Sequence, residues 1–220
     1  MHTRKCLQMI KSKIFSMKAN AKYNTSLRRS GSASRSWDMR WKKGTFDDPA
    51  TIWISGMTAS GKTTLGLSLV NELMSYGVEK IKLLDGDKLR KRLKKNYGHS
   101  LSDRVKLIDE YIKIAQLEIN NGFNVVISTV SHKSSMRDIA RSQLNPFMEI
   151  NLVCSYEECA KRDYKKIYSS FDGADKCLPG YTEPYETSKS PELILDTENN
   201  SIEDCKKMLL QKVLNFLSEI

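Results

Sequence analysis

Apolar positions fall in short runs divided by polar stretches, and two spacings alternate along the chain. Thr51-Ile52-Trp53-Ile54-Ser55 is apolar and β-branched, as a buried strand should be. From Thr64 to Met74 the apolar residues recur at helical spacing. Residues 80–84 read as a second strand, ended by Asp85-Gly86-Asp87 and followed by a short basic helix over 88–97. A longer amphipathic helix is expected over 103–121, stopping at Asn121-Gly122. Strands follow at 123–128, 147–154 and 193–196; helices follow at 134–143, 157–162 and 202–217. Gly173, Pro179, Gly180, Pro184 and Pro191 make 168–191 a long irregular segment. Strands alternating with helices imply a parallel sheet covered on both faces. Ligands of such sheets bind beyond the carboxyl ends of the strands. The stretches after residue 55, at 85–87 and at 128–131 should therefore meet on one edge.

The 220 residues suffice for one α/β domain plus extra sequence. The net charge of +10 belongs mostly to one end. Residues 1–48 hold twelve Lys/Arg against three Asp/Glu, a charge of +9, and leave +1 for the remaining 172 residues. The body is thus close to neutral, which argues against nucleic acid as its partner. The Ser- and Arg-rich segment 1–48 reads as a disordered arm, an organelle transit peptide or a contact for an anionic surface, and these alternatives stay open. Met17 and Met39 offer alternative starts. Five scattered cysteines without a C-x-x-C pair suggest neither a disulfide framework nor a zinc site, and a reducing compartment such as the cytoplasm fits them. His2, His99 and His132 are far apart in the sequence and form no obvious metal cluster. No apolar run approaches a membrane span.

Between the first strand and first helix lies Gly56-Met57-Thr58-Ala59-Ser60-Gly61-Lys62-Thr63, followed by Thr64. This is G-x-x-x-x-G-K-T in its proper strand–loop–helix context. Main-chain N–H groups and the positive end of a helix suit a polyphosphate. Lys62 can reach the β- and γ-phosphates of ATP, and the Thr63 hydroxyl can bind Mg²⁺. Asp85 and Asp87 can hold hydrated Mg²⁺ or accept a proton from an attacking hydroxyl; either can instead cap the helix that follows. Arg90 stands one helical turn beyond Asp87. Arg104 and Arg162 are further candidates for anion contact, because a guanidinium donates two parallel hydrogen bonds to phosphate or sulfate. The Lys91-Arg92-Lys94-Lys95 run reads as a solvated face.

Several motifs together resemble the adenylyl-sulfate (APS) kinases. They are the phosphate loop with Thr64-Leu65, Leu84-Asp-Gly-Asp87, Ser102-Asp-Arg104, Arg162-Asp163, Pro184-Tyr-Glu186, Pro191-Glu-Leu193 and Leu195-Asp-Thr197. The resemblance covers roughly residues 50–205 and implies a three-layer α/β P-loop fold, with a parallel sheet flanked by helices and a lid segment. It implies a domain over 49–220 behind an extension over 1–48. It also implies transfer of the γ-phosphate of ATP, with Mg²⁺, to the 3′-hydroxyl of adenosine 5′-phosphosulfate in sulfate assimilation. On it, Lys62, Asp85, Asp87 and Ser131 are catalytic; Thr63 and Asp85 hold the metal; 56–64 and Arg162 bind ATP; and Asp87, Arg90, Arg104 and Ser131 meet the acceptor. Ser131 has a competing reading as a helix N-cap. Family members commonly pair, so a homodimer is open.

The acceptor half departs from the family pattern. His99 stands where an aromatic residue is usual, and Leu107 and Asp109 where asparagine and arginine are usual. Ile167-Tyr168-Ser169-Ser170 replaces a Leu-Tyr-Lys-Lys run, and Leu178-Pro179-Gly180 replaces Phe-Thr-Gly. The Asp109 change would place a negative charge beside the acceptor pocket. Two further readings therefore stand: a kinase of this scaffold acting on another activated nucleotide, such as a cytidine diphosphoramidate, or a nucleotide-binding protein without turnover whose tail meets nucleic acid. Among the residues there is no Asn-Lys-x-Asp guanine signature.

Overall fold

The computed structural model describes residues 48–93, 97–171 and 177–220. The arm read at 1–48, apart from Asp48, the Lys94-Lys95 part of the basic run and Gly173 lie outside the described residues. Five strands, β1 (Thr51–Ser55), β2 (Ile81–Asp85), β3 (Asn124–Thr129), β4 (Phe147–Val153) and β5 (Leu193–Asp196), form one sheet in the order β2-β3-β1-β4-β5. Every pairing is parallel. The helices are α1 (Lys62–Ser75), α2 (Gly86–Arg92), α3 (Leu101–Asn120), α4 (Ser134–Gln143), α5 (Tyr156–Lys161) and α6 (Ile202–Glu219).

Each residue of β1 and β3 is buried, as central strands of a sheet covered on both sides require, whereas the outer strands β2 and β5 are partly open. Alternate side chains feed opposite faces. Trp53, Leu84, Val125, Ile127 and Phe147 join Leu107, Ile108, Tyr111, Ile112 and Met136 of α3 and α4 in one core cluster. On the other face α1 packs beside α6, burying Leu65, Leu69 and Leu73 together with Leu209, Val213 and Leu217. The register aligns Ser55 with Thr129 and Asn151, and Asp85 with Ser128, so the carboxyl ends of four strands finish on one edge.

The helix expected over 88–97 stops at Arg92. Leu93 is extended and packs against the core cluster, while Arg90 holds the Tyr97 and Gly98 carbonyls. The next helix starts two residues earlier than its apolar pattern suggests. Ser100 caps it by accepting from Asp103 N at 3.2 Å, and the Ser100 hydroxyl donates back to the Asp103 carboxylate. The irregular reading of 168–191 holds for the described residues of that span, whose only pairing in register is the isolated Pro179–Glu183 bridge.

A buried ion pair ties α4 to β4. Arg137 Nε lies 3.0 Å from Glu149 Oε1, with side chains 1% and 6% exposed. The Arg137 fork also donates to the carbonyls of Ser131 and Glu186, and Glu149 accepts from Ser188 Oγ. Removing Arg137 leaves the buried Glu149 carboxylate with only the longer contact to Arg141, 3.5 Å away, as its ion pair. Arg137→Met is therefore expected to lower unfolding stability by about 3 kcal/mol in urea titration. The Arg137→Met/Glu149→Leu double variant should regain part of that loss.

Candidate active site

The phosphate loop follows from its glycines. A Cβ on Gly56 would stand 2.7 Å from Ser60 Oγ and 3.0 Å from Leu152 Cβ, so the loop closes only with no side chain there. Gly61 is the N-cap of α1 in the left-handed region, φ 98°, and no side chain caps the helix. The amides of the first turn are thus left for a ligand. Lys62 Nζ donates to the Met57 carbonyl at 2.5 Å, folded back across the loop.

Burial pulls the Lys62 ammonium down from its usual value to about 8; the Asp87 charge works in the opposite direction. A bound triphosphate adds negative charge beside the amine and raises that pKa again. Near pH 9 the free site is mostly neutral, so ATP binding should take up close to one proton there and much less at pH 7. Calorimetry in buffers of different ionisation enthalpy measures this uptake, and equal uptake at both pH values would contradict it.

Asp85 caps the helix that follows and keeps its second oxygen on the phosphate loop. Oδ1 caps α2 by accepting from Lys88 N at 3.0 Å, and Oδ2 accepts from Thr63 Oγ1 at 2.6 Å. Hydroxyl and carboxylate together present hard oxygens at the end of the phosphate loop, a donor pair that fits Mg²⁺. Among the described residues no cluster of three His, Cys, Asp or Glu could hold a metal alone, so ligand oxygens would complete such a site. Asp87 does not cap. Although its partial burial acts the other way, the hydrogen bond and charge of Lys165 hold its carboxyl below the usual range, so it is ionised at neutral pH.

One cavity of about 540 Å³ spans the carboxyl edge of the sheet. Strand order gives it two ends. Toward β5 it is lined by the phosphate loop, Arg162, Thr197, Asn200, Ile202 and Cys205; toward β2 by Asp87, Arg90, Arg104, Leu107, Ile108, Tyr111, Ser131, His132 and Met136. Arg162 is fixed by Glu158 (Nε–Oε1, 2.8 Å) and by the Thr197 carbonyl (3.0 Å). Thr197 Oγ1 donates to Ser60 O at 3.0 Å, joining the end of β5 to the loop.

Each expected site residue except Gly56 and Met57 lines this cavity. Those two lie behind it: Gly56 shapes the loop, and Met57 enters a small core with Cys154, Cys159, Tyr168 and Leu178. Above that core, Tyr168 Oη donates to the Thr58 carbonyl at 3.0 Å, and Tyr181 stacks on Tyr156 at 5.3 Å. The lid segment is thus seated on the phosphate loop.

Three expectations are corrected. Ser131 caps no helix. Its Oγ accepts from the Trp53 indole at 3.1 Å, and Glu186 Oε2 accepts from Ser134 N, meeting the first turn of α4 instead. Arg90 is not a free anion donor, since it holds the carbonyls of Tyr97 and Gly98 at 2.6 and 2.7 Å. Asp109 does not line the cavity. On a helix, residues three, four and seven beyond Arg104 share its face, which places Leu107, Ile108 and Tyr111 there and turns Asp109 away. Sequence reasoning named Leu195-Asp-Thr197 as a motif but missed Lys165, His132 and, past that motif, Asn200 and Ile202 as cavity residues. Lys165 alone carried a local signal, two residues beyond the Arg162-Asp163 pair.

Residues 48–196 match the protein-family model described as adenylylsulphate kinase. The chain belongs to this family. A curated adenylyl-sulfate kinase of Staphylococcus epidermidis is 34% identical over 173 residues, 77% of this chain and 84% of that protein. A probable adenylyl-sulfate kinase of Aeropyrum pernix is 34% identical over 157 residues, 69% of this chain and 85% of that protein. The APS kinase of Mycobacterium tuberculosis, solved in complex with AMPPNP and APS, superposes with a TM-score of 0.67 at 25% identity, over 76% of this chain and 98% of that one.

Proposed function

We propose that the protein is an ATP-dependent adenylyl-sulfate kinase acting in sulfate assimilation, which transfers the γ-phosphoryl group of ATP to the 3′-hydroxyl of adenosine 5′-phosphosulfate. The observation that carries this reading is the single cavity joining the phosphate loop, Asp85 and Asp87, and Arg104. The loop amides and Lys62 hold the triphosphate. Thr63 and Asp85 would hold Mg²⁺, which when bound neutralises charge on the β- and γ-phosphates. Asp87 accepts the proton of the attacking hydroxyl; the new bond forms between the 3′-oxygen and the γ-phosphorus, the bond from that phosphorus to the β–γ bridging oxygen breaks, and ADP leaves. Arg104 and Ser131 stand at the acceptor end, and Arg90 shapes its wall. The seated lid keeps water from competing with the acceptor.

A second acceptor remains in play on one observation. Both arginines donate to protein carbonyls, and Leu107 and Ile108 supply apolar wall where polar groups would serve an anion. An acceptor panel with labelled ATP tests the assignment. APS should give the highest kcat/KM, and preference for a cytidine diphosphoramidate or another nucleotide would replace it.

The same reading places residues 1–48 as an extension and 49–220 as the kinase domain, supported by a family match that begins at residue 48. Among the described residues four buried free thiols support a reducing compartment, the cytoplasm or, if the extension is a transit peptide, an organelle. No described helix is long and apolar enough to cross a membrane. A homodimer is the expected assembly, and light scattering measures it.

A further inference from the structure

Cys177 joins three segments at the acceptor end. Its N–H donates to the His99 carbonyl at 3.0 Å, its carbonyl accepts from Arg104 Nη2 at 2.7 Å, and its Sγ lies 3.4 Å from His132 Nε2. His132 follows Ser131 in the turn after β3. It is 1% exposed, yet it lines the cavity beside Arg104, Leu107 and Met136. A buried imidazole needs partners for its nitrogens, and the thiol meets only one of them. Burial, reinforced by the Arg104 and Lys133 charges, lowers the His132 pKa to about 4, so the ring is neutral at working pH. Burial also raises the Cys177 thiol and keeps it protonated. A protonated thiol donating to Nε2 leaves the ring proton on Nδ1. Beside it, Arg104 Nε is buried without a hydrogen-bond partner. The acceptor end therefore holds one buried N–H donor without a partner, Arg104 Nε, and in this tautomer a His132 Nδ1–H that the thiol does not meet.

We propose that His132 is an acceptor-binding residue, its Nδ1–H donating to an anionic oxygen of the acceptor nucleotide, with Cys177 as the positioning residue that fixes the ring through Nε2. This rests on the phosphoryl-transfer reading and adds a residue to it. Neutrality is the useful property. The ring adds a directional donor without adding charge beside Arg104, and an acceptor lacking the matching oxygen leaves that donor unpaired.

The test compares variants of the full chain by steady-state kinetics with ATP and APS. His132→Leu is expected to raise the KM for APS roughly tenfold, the loss of one hydrogen bond, with the KM for ATP unchanged. His132→Asn, whose amide N–H can stand near the Nδ1 position, should stay within about threefold of wild type. His132→Gln reaches toward the thiol but offers nothing at Nδ1; its KM for APS should also rise roughly tenfold, which keeps the test decisive where the leucine variant fails to fold. An unchanged APS KM in the glutamine variant, or equal rises for both substrates, would overturn the proposal. Wild-type turnover is read separately. If another nucleotide outperforms APS, the APS assignment falls, and the same variants compared on that nucleotide decide the role of His132.

Discussion

Asp87→Asn is expected to lower kcat by up to about ten-thousandfold, the upper range for a group that removes a proton in the transition state. Asparagine keeps the shape of the side chain but cannot take the hydroxyl proton. Asp87 is suited to that task because Lys165 holds it ionised and because it stands free of the capping role that Asp85 fills. The substitution should leave ATP binding nearly intact, since the loop amides are untouched. It carries a second signature. Asp87 raises the Lys62 pKa, so its loss should move the Lys62 midpoint below 8 and shift the proton uptake on ATP binding to lower pH. Coupled assays and calorimetry measure the two effects. A variant within tenfold of wild-type kcat would remove Asp87 from the proton-transfer step.

Lys62→Ala should cost about a thousandfold in kcat, with a smaller change in ATP affinity. The ammonium meets charge that develops at the transferring phosphoryl group, in a site where burial makes a fixed charge worth more than in water. The ammonium is poised in advance, held against the Met57 carbonyl. Lys62→Arg should not rescue, because a planar fork cannot act as the compact point charge that the ammonium supplies. Retention of more than a tenth of wild-type turnover in the alanine variant would mean that the γ-phosphate is stabilised elsewhere.

The phosphate loop was legible because its chemistry is local: Gly56, Gly61, Lys62 and Thr63 are consecutive or nearly so, and backbone geometry fixes them together. Asp85 was equally legible, although two roles competed for it; Oδ1 fills the capping one, and Oδ2 meets the Thr63 hydroxyl at the cavity. Ser131 was found, but its partner was not, because the Trp53 indole lies 78 positions away and no spacing rule joins them. Asp109 misled for a related reason. A position matched to a motif says which residue is present, whereas the helical phase of α3 says which way it faces.

Strand and helix periods, the order of elements and the meeting of three loop segments on one edge came from residue chemistry alone, since period and turn geometry are short-range properties. Tertiary structure alone decided the rest. It set the strand order that gives the cavity its two ends, and it brought Lys165 to Asp87. It also gathered Cys177, His99, Arg104 and His132 into one wall. Those contacts depend on how distant segments pack, and the energy that selects them is shared over the whole core and leaves no mark in any one stretch of the chain.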